Sequence, residues 1–320
     1  MNRLIVDKNL IIRNCKDLAA KRQQYGFRLY VMAKSNLYGF GYELLEYMKD
    51  YLDGMVWAGV RIGPQIPAVC DTVITCFQRE TVSDTYCYMT RLEDENYCEK
   101  PNLYVRVDPF LGLHGISMEQ LRNMKNLSEY RGLFIYINEF LSEDELPVMD
   151  ELFLLAKQHD LVVNAGGSAM LQYLDRFAGQ RMELRLLREL LMPQQKKASM
   201  HLVCRVLNHG EPQTIGFKSD RKNPTTGKLA LLSVGYYECK WMPELYKRGI
   251  PLMVDGKPCR IPCYPCMNTM WINSEDELLP EREIRLFSDF EEVLRICEIL
   301  DIDVDEFYSS FPSEIPRVYE

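Results

Sequence analysis

Lys34 stands in Val31-Met32-Ala33-Lys34-Ser35-Asn36-Leu37-Tyr38-Gly39-Phe40-Gly41, directly after an apolar run that reads as a strand. In an α/β barrel, active sites are built at the C-terminal ends of the strands. Apolar walls and neighbouring cations favour the neutral form of an amine there, and a neutral lysine can form a Schiff base with an aldehyde cofactor. A solvated lysine after a strand is the plainer reading of this one residue. A second feature is Asn164-Ala165-Gly166-Gly167-Ser168-Ala169. Its glycines would let backbone N–H groups approach an anion, and a helix starting after Ser168 would add its dipole. Ser168 also reads as a simple helix N-cap, and the two roles are compatible. Cys259, Cys263 and Cys266 include a C-x-x-C. A structural zinc usually needs a fourth ligand, and His201 and His209 are far away in sequence, so no metal is expected. The acidic runs Glu143-Asp144-Glu145 and Glu275-Asp276-Glu277 read as solvated faces.

The elements that would position these groups fall into two textures. Apolar strand-like runs cover Phe27–Ala33, Met55–Val60, Thr72–Phe77, Leu103–Val107, Leu133–Ile137 and Leu161–Asn164, with Met182–Arg185 as a further candidate. Helical patterns lie between them at Tyr42–Tyr51, Met118–Lys125, Glu143–His159 and Ala169–Phe177. Alternation at this spacing predicts βαβ units and a parallel sheet. Strands that are apolar throughout suit a closed barrel buried on both faces, although an open doubly wound sheet gives the same pattern. Past the polar stretch Met192-Pro193-Gln194-Gln195-Lys196-Lys197, short strands at Leu202–Leu207, Ala230–Val234, Pro251–Val254 and Met270–Ile272 alternate with turns. No long helix is expected there until Phe290–Leu300, which describes a mostly antiparallel β domain. The expected architecture is α/β: a (β/α)8 TIM-like barrel over 1–198, then a mostly β C-terminal domain over 199–320.

The chain has 320 residues, enough for a large core without disulfides or metal staples. Hydrophobic residues make up 47% and charged residues 26%, which excludes a disordered or collagen-like chain. No apolar run is long enough to span a membrane, and the N-terminus carries no signal-peptide pattern. The net charge of −8 comes with no basic stripe, so neither nucleic acid nor membrane is an expected partner. Eleven cysteines without an export signal point to reduced thiols and a cytoplasmic protein.

The Lys34 segment resembles the pyridoxal phosphate lysine motif of the alanine racemase family through Lys34, Asn36, Tyr38, Gly39 and Gly41. Three further segments match in order: Val234-Gly235-Tyr236, Gly256-Lys257 through Cys266-Met267-Asn268, and the tail Ile315-Pro316-Arg317-Val318-Tyr319. The match runs over nearly the whole chain, and the family fold is a barrel plus a β domain. The resemblance implies that Lys34 holds pyridoxal 5'-phosphate and acts as acid and base on one face of the substrate Cα. It implies that Tyr236 serves the opposite face from the partner subunit of a homodimer. A phenol titrates near pH 10, so cationic neighbours are needed for that role. Arg185 would face the cofactor ring nitrogen and leave it unprotonated, because a guanidinium does not give up its proton; Arg188 is a rival for the position. Tyr38, Gly167 and Ser168 would hold the phosphate. Met267, through its backbone, and Asn268 would meet the substrate carboxylate.

Departures from the family pattern cluster at the cofactor. A lysine is replaced by Arg106, an arginine by Leu113, a threonine-histidine pair by Ile135-Tyr136, a second histidine by Asn164, and an aspartate by Asn268. With the second arginine lost, Arg106 is expected to turn toward the cofactor, with His114 the weaker candidate. The implied activity is racemisation of a small amino acid, alanine by analogy, giving its D-form. The alternatives are another substrate or another Cα reaction on the same scaffold, or a non-catalytic cofactor-binding protein. Retention of both Lys34 and Tyr236 argues against the last.

Overall fold

The structure is a computed structural model, and it describes residues 2–57, 73–76, 85–89, 99–110, 115–137, 141–192, 196–211, 213–215, 223–225 and 227–320. Two compact units divide the chain. One contains 12–34 and 45–191; the other contains 1–11, 35–44 and 192–320.

The chain opens with β1 (Arg3–Val6), which belongs to the second unit. The first unit is a ring of parallel strands: β2 (Arg28–Ala33), β3 (Gly54–Trp57), β4 (Val73–Cys76), β5 (Thr85–Met89), β6 (Leu103–Arg106), β7 (Gly132–Tyr136), β8 (Val162–Gly166) and β9 (Met182–Leu186). Each pairs with the next, and β9 returns to β2 with Arg185 opposite Tyr30, so the strand order closes. This settles barrel against open sheet. The segments between β3 and β6 lie largely outside the described residues, so the expected (β/α)8 alternation is seen there in its strands alone. Six of the expected strands fall within two residues of their places. The seventh, read as Met55–Val60, is described only to Trp57. The strand at Thr85–Met89, which pairs with β4 and β6, was not among those expected.

Side chains alternate across each strand, so every second residue points into the ring. The interior holds Tyr30, Val56, Ile74, Tyr104 and Phe134, with Met32 packed against them. Small residues make room for large ones. A Cβ at Gly54 would overlap the Tyr30 ring, and one at Gly166 would lie 2.5 Å from Nη2 of Arg185. The helices are set by local chemistry. Lys8–Tyr25 starts at Asp7, whose Oδ1 accepts from Leu10 N–H at 2.9 Å, and ends at Gly26 with φ 74°. Met118–Asn123 carries a full capping box between Ser117 and Gln120. The helix expected at Ala169–Phe177 is instead a 3-10 turn, Ser168–Gln172.

The second unit is a mostly antiparallel sheet. Its strands are β1, β10 (Met200–Gly210), β13 (Lys228–Leu232), β14 (Leu252–Val254), β15 (Lys257–Cys259), β16 (Met270–Ser274), β17 (Glu283–Leu286) and β18 (Arg317–Tyr319), with β11 (Thr214–Ile215) and β12 (Asn223–Pro224) as a separate pair. β1 lies between β10 and β18, antiparallel to the first and parallel to the second. The single cut expected near residue 198 therefore does not match the contacts: residues 1–11 and 35–44 group with the C-terminal β unit. The physical reason is that β1 finds its hydrogen-bonding partners on β10 and β18, nearly 200 and more than 300 residues away. The helix Phe290–Leu300 lies where expected, opened by Asp289, whose carboxylate accepts from Glu291 N–H at 2.8 Å. Among the described residues, no helix is long and apolar enough to cross a membrane.

Glu292, in the first turn of that helix, is buried. Its Oε1 accepts from Met253 N–H at 2.9 Å, while Oε2 has no hydrogen-bond partner among the described residues. Burial pushes its carboxyl up to about 7 from an ordinary 4.5. Between these values the folded chain keeps a proton that the unfolded chain releases, so stability falls as pH rises through that window. The slope approaches about 1.4 kcal/mol per pH unit. Urea unfolding from pH 4 to 8 is expected to show wild type losing this increment relative to Glu292→Gln, which has no such proton to lose. Parallel pH profiles for the two proteins would refute the assignment.

Candidate functional site

The inward faces of the ring build one group of side chains layer by layer. At the core of β9 stands Glu183, 1% exposed. Its Oε1 accepts from Tyr30 Oη at 3.1 Å and lies 3.5 Å from Nη1 of Arg28. Its Oε2 accepts from Tyr104 Oη and from Asn164 Nδ2, both at 2.8 Å. Burial, and then the Glu183 charge, raise the Tyr104 phenol far above its ordinary range, which keeps it a donor. Two residues on, and so on the same face, lies Arg185 at 3% exposure. Its Nη1 donates to Asn164 O at 2.7 Å and to Asn164 Oδ1, and its Nη2 donates to Ile135 O at 2.6 Å. The guanidinium carbon sits 3.5 Å from the centre of the Phe134 ring, a close cation–π contact.

The other expected residues of this unit are found at the same strand ends. Lys34 is half-buried and follows β2 directly, continuing the alternation of Tyr30 and Met32. Arg106 ends β6 two residues after the inward-facing Tyr104, so strand alternation puts it on the interior face. Tyr136 ends β7 and is 43% exposed. Gly167 has φ 106°, and a Cβ there would overlap the carbonyl of Ile137, so only glycine fits. Ser168 is exposed and opens the five-residue 3-10 turn. A turn that short supplies backbone donors but little of the dipole expected from a full helix. Leu113 and His114 lie outside the described residues.

The second unit carries the remaining expected residues. Ser35, Asn36, Leu37 and Tyr38 all have φ between 49° and 52°, a left-handed turn made without glycine. Such conformations cost roughly 1–2 kcal/mol per residue and persist only where the surroundings impose them. Here the restraints are visible. Gly39 N–H donates to Ser35 O at 2.9 Å. Asn36 exchanges two bonds with Tyr42, accepting at Oδ1 from its N–H and donating its own N–H to the phenol oxygen, both at 3.1 Å. The C-terminal tail completes the clamp: Arg317 Nε donates to Gly39 O at 2.9 Å, and Tyr319 Oη donates to Phe40 O at 3.0 Å.

Tyr236, Met267 and Asn268 come together in this unit. A Cβ at Gly235 would overlap the carbonyl oxygen of Cys266, so the two loops touch backbone to backbone. Tyr236 N–H donates to Cys266 O at 3.1 Å and Tyr237 N–H to Met267 O at 2.8 Å. Glu238, buried beneath them, accepts from Gly235 N–H at 2.9 Å and from Asn268 Nδ2 at 3.0 Å. Met267 is 55% exposed. Cys259 and Cys263 are buried free thiols, and no metal-holding cluster is found among the described residues.

Sequence reasoning missed Glu183, Tyr30, Tyr104 and Glu238. The signal for the first lay in Met182-Glu183-Leu184-Arg185, where two charges share the inward face of an otherwise apolar strand. Chemically, the ring offers a lysine amine, a buried cation and a glycine turn at strand ends. Room for the Arg185 guanidinium is made by Gly166. This donor set fits a cofactor with an aldehyde, a basic ring nitrogen and a phosphate.

No family model and no curated protein matches the sequence. Solved structures do match over the whole chain. Alanine racemase from E. faecalis aligns at TM-score 0.76 and 19% identity, covering 100% of this chain and 98% of that one. Alanine racemase of Clostridium difficile 630 aligns at 0.77 and 16%, covering 100% and 95%. Alanine racemase from Bartonella henselae, a structure with covalently bound pyridoxal phosphate, aligns at 0.74 and 14%, covering 100% and 99%. The fold of this chain is that of the alanine racemases.

Proposed function

We propose that the chain is a divergent member of the alanine racemase family: a pyridoxal phosphate-dependent, fold-type III racemase acting on a small amino acid, alanine by analogy, as a cytoplasmic homodimer. The observation that carries this reading is Arg185, a buried guanidinium on the inward face of the ring that holds Lys34. Pyridoxal phosphate, when bound, supplies the electron sink that makes the substrate Cα–H acidic. Lys34 anchors it and moves a proton at Nζ on one face of the substrate. Tyr236 of the partner subunit moves a proton at Oη on the other face. Two groups on opposite faces invert the centre, where one would return the proton to its original side. Arg185 faces the ring nitrogen and keeps it unprotonated, since a guanidinium holds its own proton. Tyr38, Gly167 and Ser168 hold the phosphate, and Arg106 turns toward the cofactor hydroxyl. The partner subunit's Met267, through its backbone, and the partner subunit's Asn268 receive the substrate carboxylate.

A second reading keeps the cofactor and changes the substrate. It is favoured by Asn268, whose amide is tied to Glu238, and by Tyr136 exposed at its strand end.

Purified protein mixed with pyridoxal phosphate is expected to become yellow, with borohydride bleaching the band and Lys34→Ala abolishing it. A colourless wild type would refute the proposal. Incubated with L-alanine in deuterium oxide, wild type is expected to give deuterated L- and D-alanine. Tyr236→Phe is expected to keep exchange with retention and to lose interconversion by about 10²-fold or more. Exchange confined to another amino acid selects the second reading.

A further inference from the structure

Asn164 separates two charged groups that share the inward face of β9. Its amide has a nitrogen and an oxygen of almost equal size, so its orientation is set by its neighbours. On one side lies Glu183, a group that when ionised only accepts hydrogen bonds. On the other lies Arg185, which only donates. The Asn164 Nδ2 group turns to Glu183 and its Oδ1 to Arg185. Neither contact survives a flip. Glu183 itself is held from three other strands: Tyr30 and Arg28 on β2, Tyr104 on β6, and Asn164 on β8. Both carboxylate oxygens are therefore engaged, as a carboxylate this deep in the ring requires.

We infer that Glu183 is a positioning residue: by fixing the Asn164 amide, it seats the Arg185 guanidinium on the Phe134 ring. The importance of that seat for catalysis rests on the function proposed above; the relay itself does not. In Glu183→Leu, Asn164 Nδ2 loses its acceptor, and nothing holds the amide in the orientation that aims Oδ1 at Arg185. A flipped amide would oppose its Nδ2 to Nη1 of Arg185. In Glu183→Gln, by contrast, the amide oxygen can take the place of Oε2 and still accept from Asn164 and Tyr104, while its nitrogen donates to the Tyr30 hydroxyl, so the orientation is kept.

The test measures hydrogen exchange of the Arg185 guanidinium by NMR in the full-length protein without cofactor, with the resonance assigned through Arg185→Lys. Exchange in Glu183→Leu is expected to be about tenfold faster or more, and in Glu183→Gln to stay within about threefold of wild type. Tyr104→Phe leaves Asn164 in place and is expected to change it by less than about threefold. Titration with pyridoxal phosphate gives the second readout: uptake about tenfold weaker in Glu183→Leu and retained in Glu183→Gln. Should Glu183→Leu not fold, Asn164→Ala carries the test, with the same faster exchange expected. Unchanged Arg185 exchange in a folded Glu183→Leu or Asn164→Ala, or equally fast exchange in a folded Glu183→Gln, overturns the relay. Exchange that responds as described in a protein taking up no pyridoxal phosphate overturns the proposed function and leaves the relay standing.

Discussion

A carboxylate buried inside a ring of strands is tolerated only where donors surround it, and Glu183 draws its donors from three strands besides its own. Tyr30, Tyr104 and Asn164 must all reach one point, so the registers of β2, β6 and β8 are fixed relative to β9. A slip of one residue on any of them would turn its donor outward and leave the charge unsatisfied. The rest of the interior follows. Glycines stand beside Tyr30 and Arg185 because the large polar side chains need the space. Arg185, one layer further along β9, inherits its place from the amide that Glu183 orients. The barrel interior thus works as a polar column with a cation one layer beyond the carboxylate.

The second unit meets a different constraint, close backbone approach. The turn from Ser35 to Tyr38 holds four residues in left-handed geometry. It is restrained by Asn36 with Tyr42, and by the tail residues Arg317 and Tyr319 gripping Gly39 and Phe40. That gives the tail motif, which looked like an ending only, a mechanical role. The pair of loops at Gly235 and Cys266 is governed likewise, with Glu238 binding both.

The sequence showed these features unequally, for physical reasons. Lys34, Tyr236 and Gly167 lie in segments whose local geometry demands particular residues, so they were visible as motifs. Barrel strands such as Arg28–Ala33 were visible as apolar runs. β1 was not, because its partners on β10 and β18 are remote in sequence. The helix expected after Ser168 shrank to a single 3-10 turn, since its apolar spacing served tertiary packing and not a continuous helix. Glu183 and Glu238 were overlooked because acidic residues are usually solvated. Only the assembled ring and the paired loops reveal what each of them binds.

A crystal structure of the protein grown with pyridoxal phosphate tests the central claim most directly. The account requires continuous density from Lys34 Nζ to the cofactor. It also requires the Arg185 guanidinium to remain on Phe134, bonded to Asn164, with one edge about 3 Å from the ring nitrogen. A cofactor bound away from Lys34, or an Arg185 withdrawn from Asn164 and the ring nitrogen, would contradict it.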